Sequence, residues 1–153
     1  IYPGIPELLA ATAAAGCVNV MATSKPTPFA ERIAEHFGFA RYFRLVSGST
    51  LDGTRTTKSD VIRHALGTLG IAPQEAVMIG DRRYDIEGAA ETGLASIAVG
   101  SSPPRPLRPR HRNAPTAVDR TTLRSRLRFV SPLLSGGGNI LLIFDKNKLF
   151  FKN

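Results

Sequence analysis

AVMIGDRRYDIEGA, residues 76–89, is the stretch whose reading decides the fold. Its first four residues are apolar and end at Gly80, the pattern of a short buried strand. Residues 85–92 then read as a short helix stopped by Gly93. Two carboxylates, Asp81 and Asp85, sit at the change from strand to helix. If the chain turns helical directly after Gly80, residues four apart share a face. The two acids then suit a hard divalent cation, since Mg²⁺ takes one or two carboxylates together with water and phosphate oxygens. The same residues also fit a plainer arrangement, in which Asp81 caps the helix and Asp85 lies in solvent.

The alternation continues on both sides of this stretch. Residues 6–15 are Ala-rich and helical in pattern, and Gly16 stops them. CVNVMA, residues 17–22, is short, apolar and partly β-branched, as strands are. Residues 26–37 carry Phe29, Ile33 and Phe37 at four-residue steps, an amphipathic helix ended by Gly38. Residues 44–46 make a weak strand. Lys58–Leu69 gathers Val61, Ile62, Ala65, Leu66 and Leu69 on one helical face. Ala95–Val99 is a further strand. Strands alternating with helices predict an α/β fold, a Rossmann-like three-layer parallel sheet. Ligands of such sheets bind beyond the carboxyl ends of the strands. Three polar clusters fall there: Thr23-Ser24-Lys25, the loop 47–58, and Gly80-Asp81.

Each cluster has a chemical reading beside a structural one. The Thr23 hydroxyl, with the N–H groups of Ser24 and Lys25, suits a phosphoryl oxygen near a helix N-terminus. Thr or Ser shortly before Pro26 also suits an ordinary helix cap. Lys58 opens a helix, where the dipole already disfavours a cation. A nearby anion would offset that, and a solvated side chain is the alternative. His36, His64 and His111 have neither zinc spacing nor the arrangement of a Ser-His-Asp triad. Cys17 reads as a small buried residue on a strand.

Composition limits the alternatives. The 153 residues suffice for one domain, and 42 % are hydrophobic. No apolar run approaches the twenty residues of a membrane span. The N-terminus lacks the pattern of a secretory signal. A lone cysteine excludes an internal disulfide, and a cytoplasmic location is expected. The chain does not begin with Met and is read as a fragment. Net charge is +8, but residues 1–100 hold nine Lys/Arg against ten Asp/Glu, and residues 101–153 hold eleven against two. The positive charge therefore belongs to residues 101–153. That segment is Pro/Arg-rich and then apolar, and proline there excludes ordinary helix or strand interiors. It is read as an irregular tail, disordered or out of frame. A nucleic-acid-binding arm is the weaker alternative, because arginines without aromatic partners give only non-specific binding.

YPGIPELL, VMATSKP, LDGTRTTKSDVI and MIGDRRYDIEGA together resemble the haloacid dehalogenase-like hydrolases, in particular their phosphoglycolate phosphatase-like and 5′-nucleotidase-like members. The resemblance covers residues 2–99 and makes 1–100 a partial hydrolase core. It implies Mg²⁺-dependent hydrolysis of a small phosphate ester, such as phosphoglycolate or a nucleoside monophosphate, through an aspartyl-phosphate. On that pattern Thr23 and Ser24 bind phosphate, and Lys58 neutralises charge on nucleophile and phosphate. Asp81 and Asp85 hold or orient the metal. A non-catalytic fragment needing a partner strand is the alternative.

Two departures matter. The family's nucleophile strand, ending D-x-D-G-T, does not precede Ile1, and neither does a cap domain follow it. LDGT at 51–54 lacks the first Asp and a leading buried strand, so it reads as a polar loop delivering Lys58. Loss of the nucleophile strand implies a vacancy between CVNVMA and AVMI. Buried backbone groups left unpaired there cost roughly 1–3 kcal/mol each. ILLIF, residues 140–144, is an apolar run followed by Asp145 and Asn147. It is a candidate to fill the vacancy in permuted order, with Asp145 as nucleophile and Asn147 in place of the family's acid/base.

Overall fold

A computed structural model describes residues 4–99, 116–118 and 141–144. The chain forms α1 (Ile5–Ala14), β1 (Val18–Pro26), α2 (Thr27–His36), β2 (Leu45–Ser49), α3 (Lys58–Leu69), β3 (Ala76–Gly80), α4 (Arg83–Thr92) and β4 (Ala95–Val99). Two further strands, β5 (Thr116–Val118) and β6 (Leu141–Phe144), come from the region read as a tail. All six strands lie in one sheet of order β2-β1-β6-β3-β4-β5, and every pairing is parallel.

The sheet is covered on both faces, as an all-parallel sheet requires. Alternation along the strands sorts the side chains. Met21 of β1 and Ile79 of β3 join Leu8, Leu9, Ala30 and Ala34 in a layer under α1 and α2. Val20 and Ala22 of β1, with Ala76 and Met78 of β3, join Val61, Ile62, Ala65 and Ala89 under α3 and α4. Cys17 is buried just before β1, and burial pushes its thiol up from its ordinary value. Asn19 is a buried polar group on β1. Its amide donates to Leu9 O at 3.1 Å and its Oδ1 lies 3.0 Å from the Thr12 hydroxyl, which ties α1 to the sheet.

One amphipathic reading is corrected. In α2 the Phe29-Ile33-Phe37 stripe packs only in part: Ile33 lies against the core, Phe29 is 48 % exposed, and the fully buried residues are Ala30 and Ala34. The helix lies close to the sheet, so small side chains occupy the contact and the larger rings stand at its margin.

The central position is the main topological finding. β6 pairs on one side with β1, Val18 to Met21, and on the other with β3, Ala76 to Ile79. The sheet thus carries a strand where the resemblance implied a vacancy, and 141–144 supplies it in permuted order. Asp145 and Asn147 lie outside the described residues, as does the rest of 101–153 apart from β5 and β6.

Candidate active site

The three predicted clusters lie at the carboxyl ends of β1, β2 and β3. The first is shaped by a bulge. β1 stays in register with β2 through Ala22–Ser47, and the next pair is Pro26–Ser49, so Thr23, Ser24 and Lys25 form extra chain on β1. Thr23 is fully buried, and its Oγ1 accepts the Lys25 N–H at 3.2 Å. The Ser24 carbonyl accepts the Ser49 hydroxyl at 3.0 Å. Neither residue caps α2, whose N-cap position is Pro26 without a side-chain cap. The bulge fits because Gly48 faces it: a Cβ there would lie 2.7 Å from Thr27 N.

Lys58 is the first residue of α3 and only 7 % exposed. The loop before it is pinned by Arg55, whose Nε donates to Gly48 O at 2.6 Å. A capping box then starts the helix: Thr57 Oγ1 accepts Asp60 N–H at 3.1 Å, and Asp60 Oδ2 accepts Thr57 N–H at 3.2 Å. Lys58 Nζ donates to Ala22 O at 3.1 Å and forms an ion pair with Asp85 Oδ1 at 2.9 Å. The anion that the helix-dipole reasoning demanded is therefore Asp85, and the solvated alternative for Lys58 is excluded.

The reading of Asp81 and Asp85 as one helical face is corrected. α4 begins at Arg83, so Asp81 stands in the turn before it and is exposed. Asp85 lies inside the first turn and is fully buried. Its Oδ2 accepts the Arg82 N–H at 3.1 Å while Oδ1 meets Lys58. With both oxygens engaged, Asp85 orients the lysine and the turn. Asp81, at the tip of β3, is the carboxylate open to solvent.

Glycines missed in the sequence reading make this packing possible. A Cβ on Gly80 would lie 2.5 Å from Asp85 Cβ, and one on Gly88 would lie 2.8 Å from Lys58 Cγ. The available signal was Gly88 itself, since glycine inside a helix is costly unless close packing requires it.

The LDGT loop behaves as a polar connection. Asp52 is exposed, and its Oδ1 accepts the N–H of Thr54 at 3.0 Å and its hydroxyl at 2.8 Å. The hydroxyl of Thr50 and then these Thr54 donors hold the Asp52 carboxyl down at about 2. His64 meets the second cluster at its start, its Nδ1 3.1 Å from Ser47 Oγ. Burial, with the positive charge of Arg55, lowers its pKa. Among the described residues no group of three or more His, Cys, Asp or Glu is placed to hold a metal. None of the described helices is long and apolar enough to cross a membrane.

The Lys58–Asp85 pair joins the carboxyl end of β1, where Thr23 lies, to the first turn after β3 in a parallel α/β sheet. A family model, haloacid dehalogenase-like hydrolase, matches residues 1–93, and the chain belongs to that family. A 5′-nucleotidase of Pseudomonas aeruginosa is 50 % identical over 100 residues, covering 65 % of this chain and 45 % of that protein. The tyrosine-protein kinase PtkA of Mycobacterium tuberculosis is 43 % identical over 100 residues, covering 65 % of this chain and 34 % of its own length. The phosphoglycolate phosphatase of Escherichia coli is 31 % identical over 99 residues, covering 65 % and 39 %. A predicted phosphatase from Clostridium acetobutylicum superposes with a TM-score of 0.64 at 34 % identity, covering 97 % of this chain and 57 % of that one. The chain spans less than half the length of these three curated relatives.

Proposed function

We propose that this chain carries the core of a Mg²⁺-dependent phosphomonoester hydrolase acting on a small phosphate ester through an aspartyl-phosphate. The observation that carries the reading is the Lys58 ammonium, buried between Ala22 O and Asp85 Oδ1 and next in the fold to Thr23. A buried cation at strand tips offers the fixed positive charge that phosphoryl transfer needs. Thr23 Oγ1 already accepts the Lys25 N–H, which orients its own proton towards a phosphoryl oxygen. Asp85 keeps Lys58 aimed. Asp81 fits a Mg²⁺ ion that keeps its waters, since one exposed carboxylate is the minimum such a site uses. When bound, that ion would supply charge neutralisation on the phosphate oxygens. Asp145, next in sequence after the central strand, is the candidate nucleophile. The phosphoglycolate phosphatase and 5′-nucleotidase names of the relatives support a small phosphate ester as substrate.

The test is hydrolysis of p-nitrophenyl phosphate by the full chain with and without Mg²⁺. Turnover should require Mg²⁺ and fall about a hundredfold or more in Thr23→Val, as loss of one preorganised donor does. Asp81→Asn should lose the Mg²⁺-supported turnover without lowering the urea midpoint. A rate unchanged in Asp145→Asn would assign the nucleophile elsewhere.

A further inference from the structure

The bulge that carries Thr23 meets a single residue of β2. Between the register pairs Ala22–Ser47 and Pro26–Ser49, residues 23–25 of β1 face Gly48 alone. A bulge disrupts the ladder locally, so the residues around it take partners from outside it. Here those partners are side chains. The Gly48 N–H donates to Thr27 Oγ1 at 3.1 Å, and the Gly48 carbonyl accepts Arg55 Nε at 2.6 Å. Arg55 Nη2 lies 3.5 Å from the same Thr27 hydroxyl. Arginine and threonine thus close a bracket around Gly48. The bulge rests directly on this glycine, since a Cβ there would run into the Lys25 carbonyl.

The bracket joins the two chain segments that lead to Thr23 and to Lys58. Thr27 opens α2, directly after the bulge. Arg55 lies in the loop between β2 and α3, and it closes that loop through its backbone as well. Its N–H donates to Thr50 Oγ1 at 2.9 Å, and its carbonyl accepts the Thr50 N–H at 3.0 Å. Lys58 follows shortly after and reaches back to Ala22 O, on the residue before Thr23. Lys58 is thereby held from its own side by a loop that Arg55 anchors to Gly48. Thr23 is held from the other side by a bulge that rests on Gly48. An arginine suits this place because its planar fork serves two acceptors at once, whereas a lysine offers a single point of charge.

We propose that Arg55 is a positioning residue: through Gly48 and Thr27 it sets the spacing between Thr23 and Lys58, so that both act on one phosphoryl group. This deepens the proposed function and rests on the phosphate site described there. Nε and Nη2 of Arg55 face Gly48 and Thr27, so its part in the reaction is geometric. Phosphoryl transfer depends on positioning, and a misplacement of about 1 Å costs up to ~100-fold in rate.

The experiment compares Arg55→Lys, Thr27→Val, Thr23→Val and the double variant Arg55→Lys with Thr23→Val, each in the full chain. In p-nitrophenyl phosphate hydrolysis with Mg²⁺, Arg55→Lys should lower kcat about tenfold and leave KM within about twofold. Full activity in Arg55→Lys would overturn the proposal, because charge alone would then suffice. Thr27→Val, which is isosteric and keeps Arg55, should show the same split and carries the test if Arg55→Lys fails to fold. The coupling is the sharper readout. With Thr23 already replaced, Arg55→Lys should lower turnover little further, because the group it positions is gone. If the two losses multiply instead, Arg55 acts independently of Thr23, as a residue that only stabilises the loop would, and the proposal is refuted. Amide exchange followed by NMR without ligand reads the bracket itself. The Lys25 and Gly48 N–H groups should exchange about tenfold faster in Arg55→Lys, while the Leu66 N–H in α3 keeps its rate. Unchanged Lys25 and Gly48 rates would deny the bracket whatever the activity. If the unmodified chain hydrolyses nothing, the proposed function fails and takes the catalytic half of this inference with it, while the exchange rates still decide the bracket.

Discussion

Two acidic turns lie at the same end of the sheet and meet opposite fates. After β2, Asp52 turns back on Thr54, stays in solvent, and spends its carboxylate on its own loop. After β3, Asp85 is drawn into the protein and spends its carboxylate on a lysine from another helix. Both stretches carry Asp beside Gly, and both resemble family motifs. What separates them is the neighbouring space. Gly80 and Gly88 leave room for Asp85 and Lys58 to close on each other. Gly53 has nothing nearby and serves the turn through its positive φ of 78°. Glycine in one place admits a side chain from elsewhere, and in the other only bends the chain.

The largest expected break in this comparison is Asp85→Asn. It leaves the Lys58 charge buried without its counter-ion, which costs about 3–5 kcal/mol in buried pairs. Urea unfolding should show that loss, while Asp52→Asn measured the same way should leave the midpoint in place. An equal midpoint for both variants would deny the buried pair its role. Next comes Gly80→Ala. Its added methyl meets the Asp85 backbone-proximal carbon, and overpacking of this kind costs about 1–3 kcal/mol. Gly88→Ala should cost less, because the Lys58 stem it meets is flexible and alanine favours the helix by up to ~1 kcal/mol. A melting series should therefore rank Gly80→Ala below Gly88→Ala.

The smallest effect sharpens the comparison through pH. Asp52 has its folded pKa at about 2 against an ordinary 3.8. A depressed carboxyl contributes stability that is present above the unfolded value and lost as pH falls through the folded one. The urea midpoint of the unmodified chain should then fall between pH 4 and pH 2 slightly more steeply than that of Asp52→Asn. Solvent screening keeps this difference small. Parallel curves would mean that the Asx turn persists in the unfolded chain or is absent from the folded one.

Much of the layered fold was legible because its signals are local. The bounds of α3 and β4 follow from apolar periodicity and the glycines that stop it, and they coincide with the observed Lys58–Leu69 and Ala95–Val99. The partner of Lys58 was legible only as one of two alternatives, an offsetting anion or a solvated side chain at a helix start. The identity of the anion was not legible, because Asp85 reaches Lys58 only through packing of α3 on α4. α4 starts two residues before the 85–92 read from the sequence but still after Asp81, so the conditional pairing of Asp81 with Asp85 on one face does not form. In α2 the stripe caught Ile33 but missed the fully buried Ala30 and Ala34, since periodicity does not say how closely a helix approaches a sheet. ILLIF was visible as an apolar run, but four or five such residues carry no address. Their place between β1 and β3 is set by edges formed far away in the chain.

That last placement bears on how the protein is made. Leu141 pairs with Val18 and Ala76, both translated long before it. Among the described residues translated before it, none pairs with the facing edges of β1 and β3. Such edges are templates for intermolecular association. Pairing at this sequence separation is also slow, because the loop entropy must be met before the contacts form. Yield in cells should therefore depend on chaperone supply and growth temperature more than the melting point of the finished protein suggests.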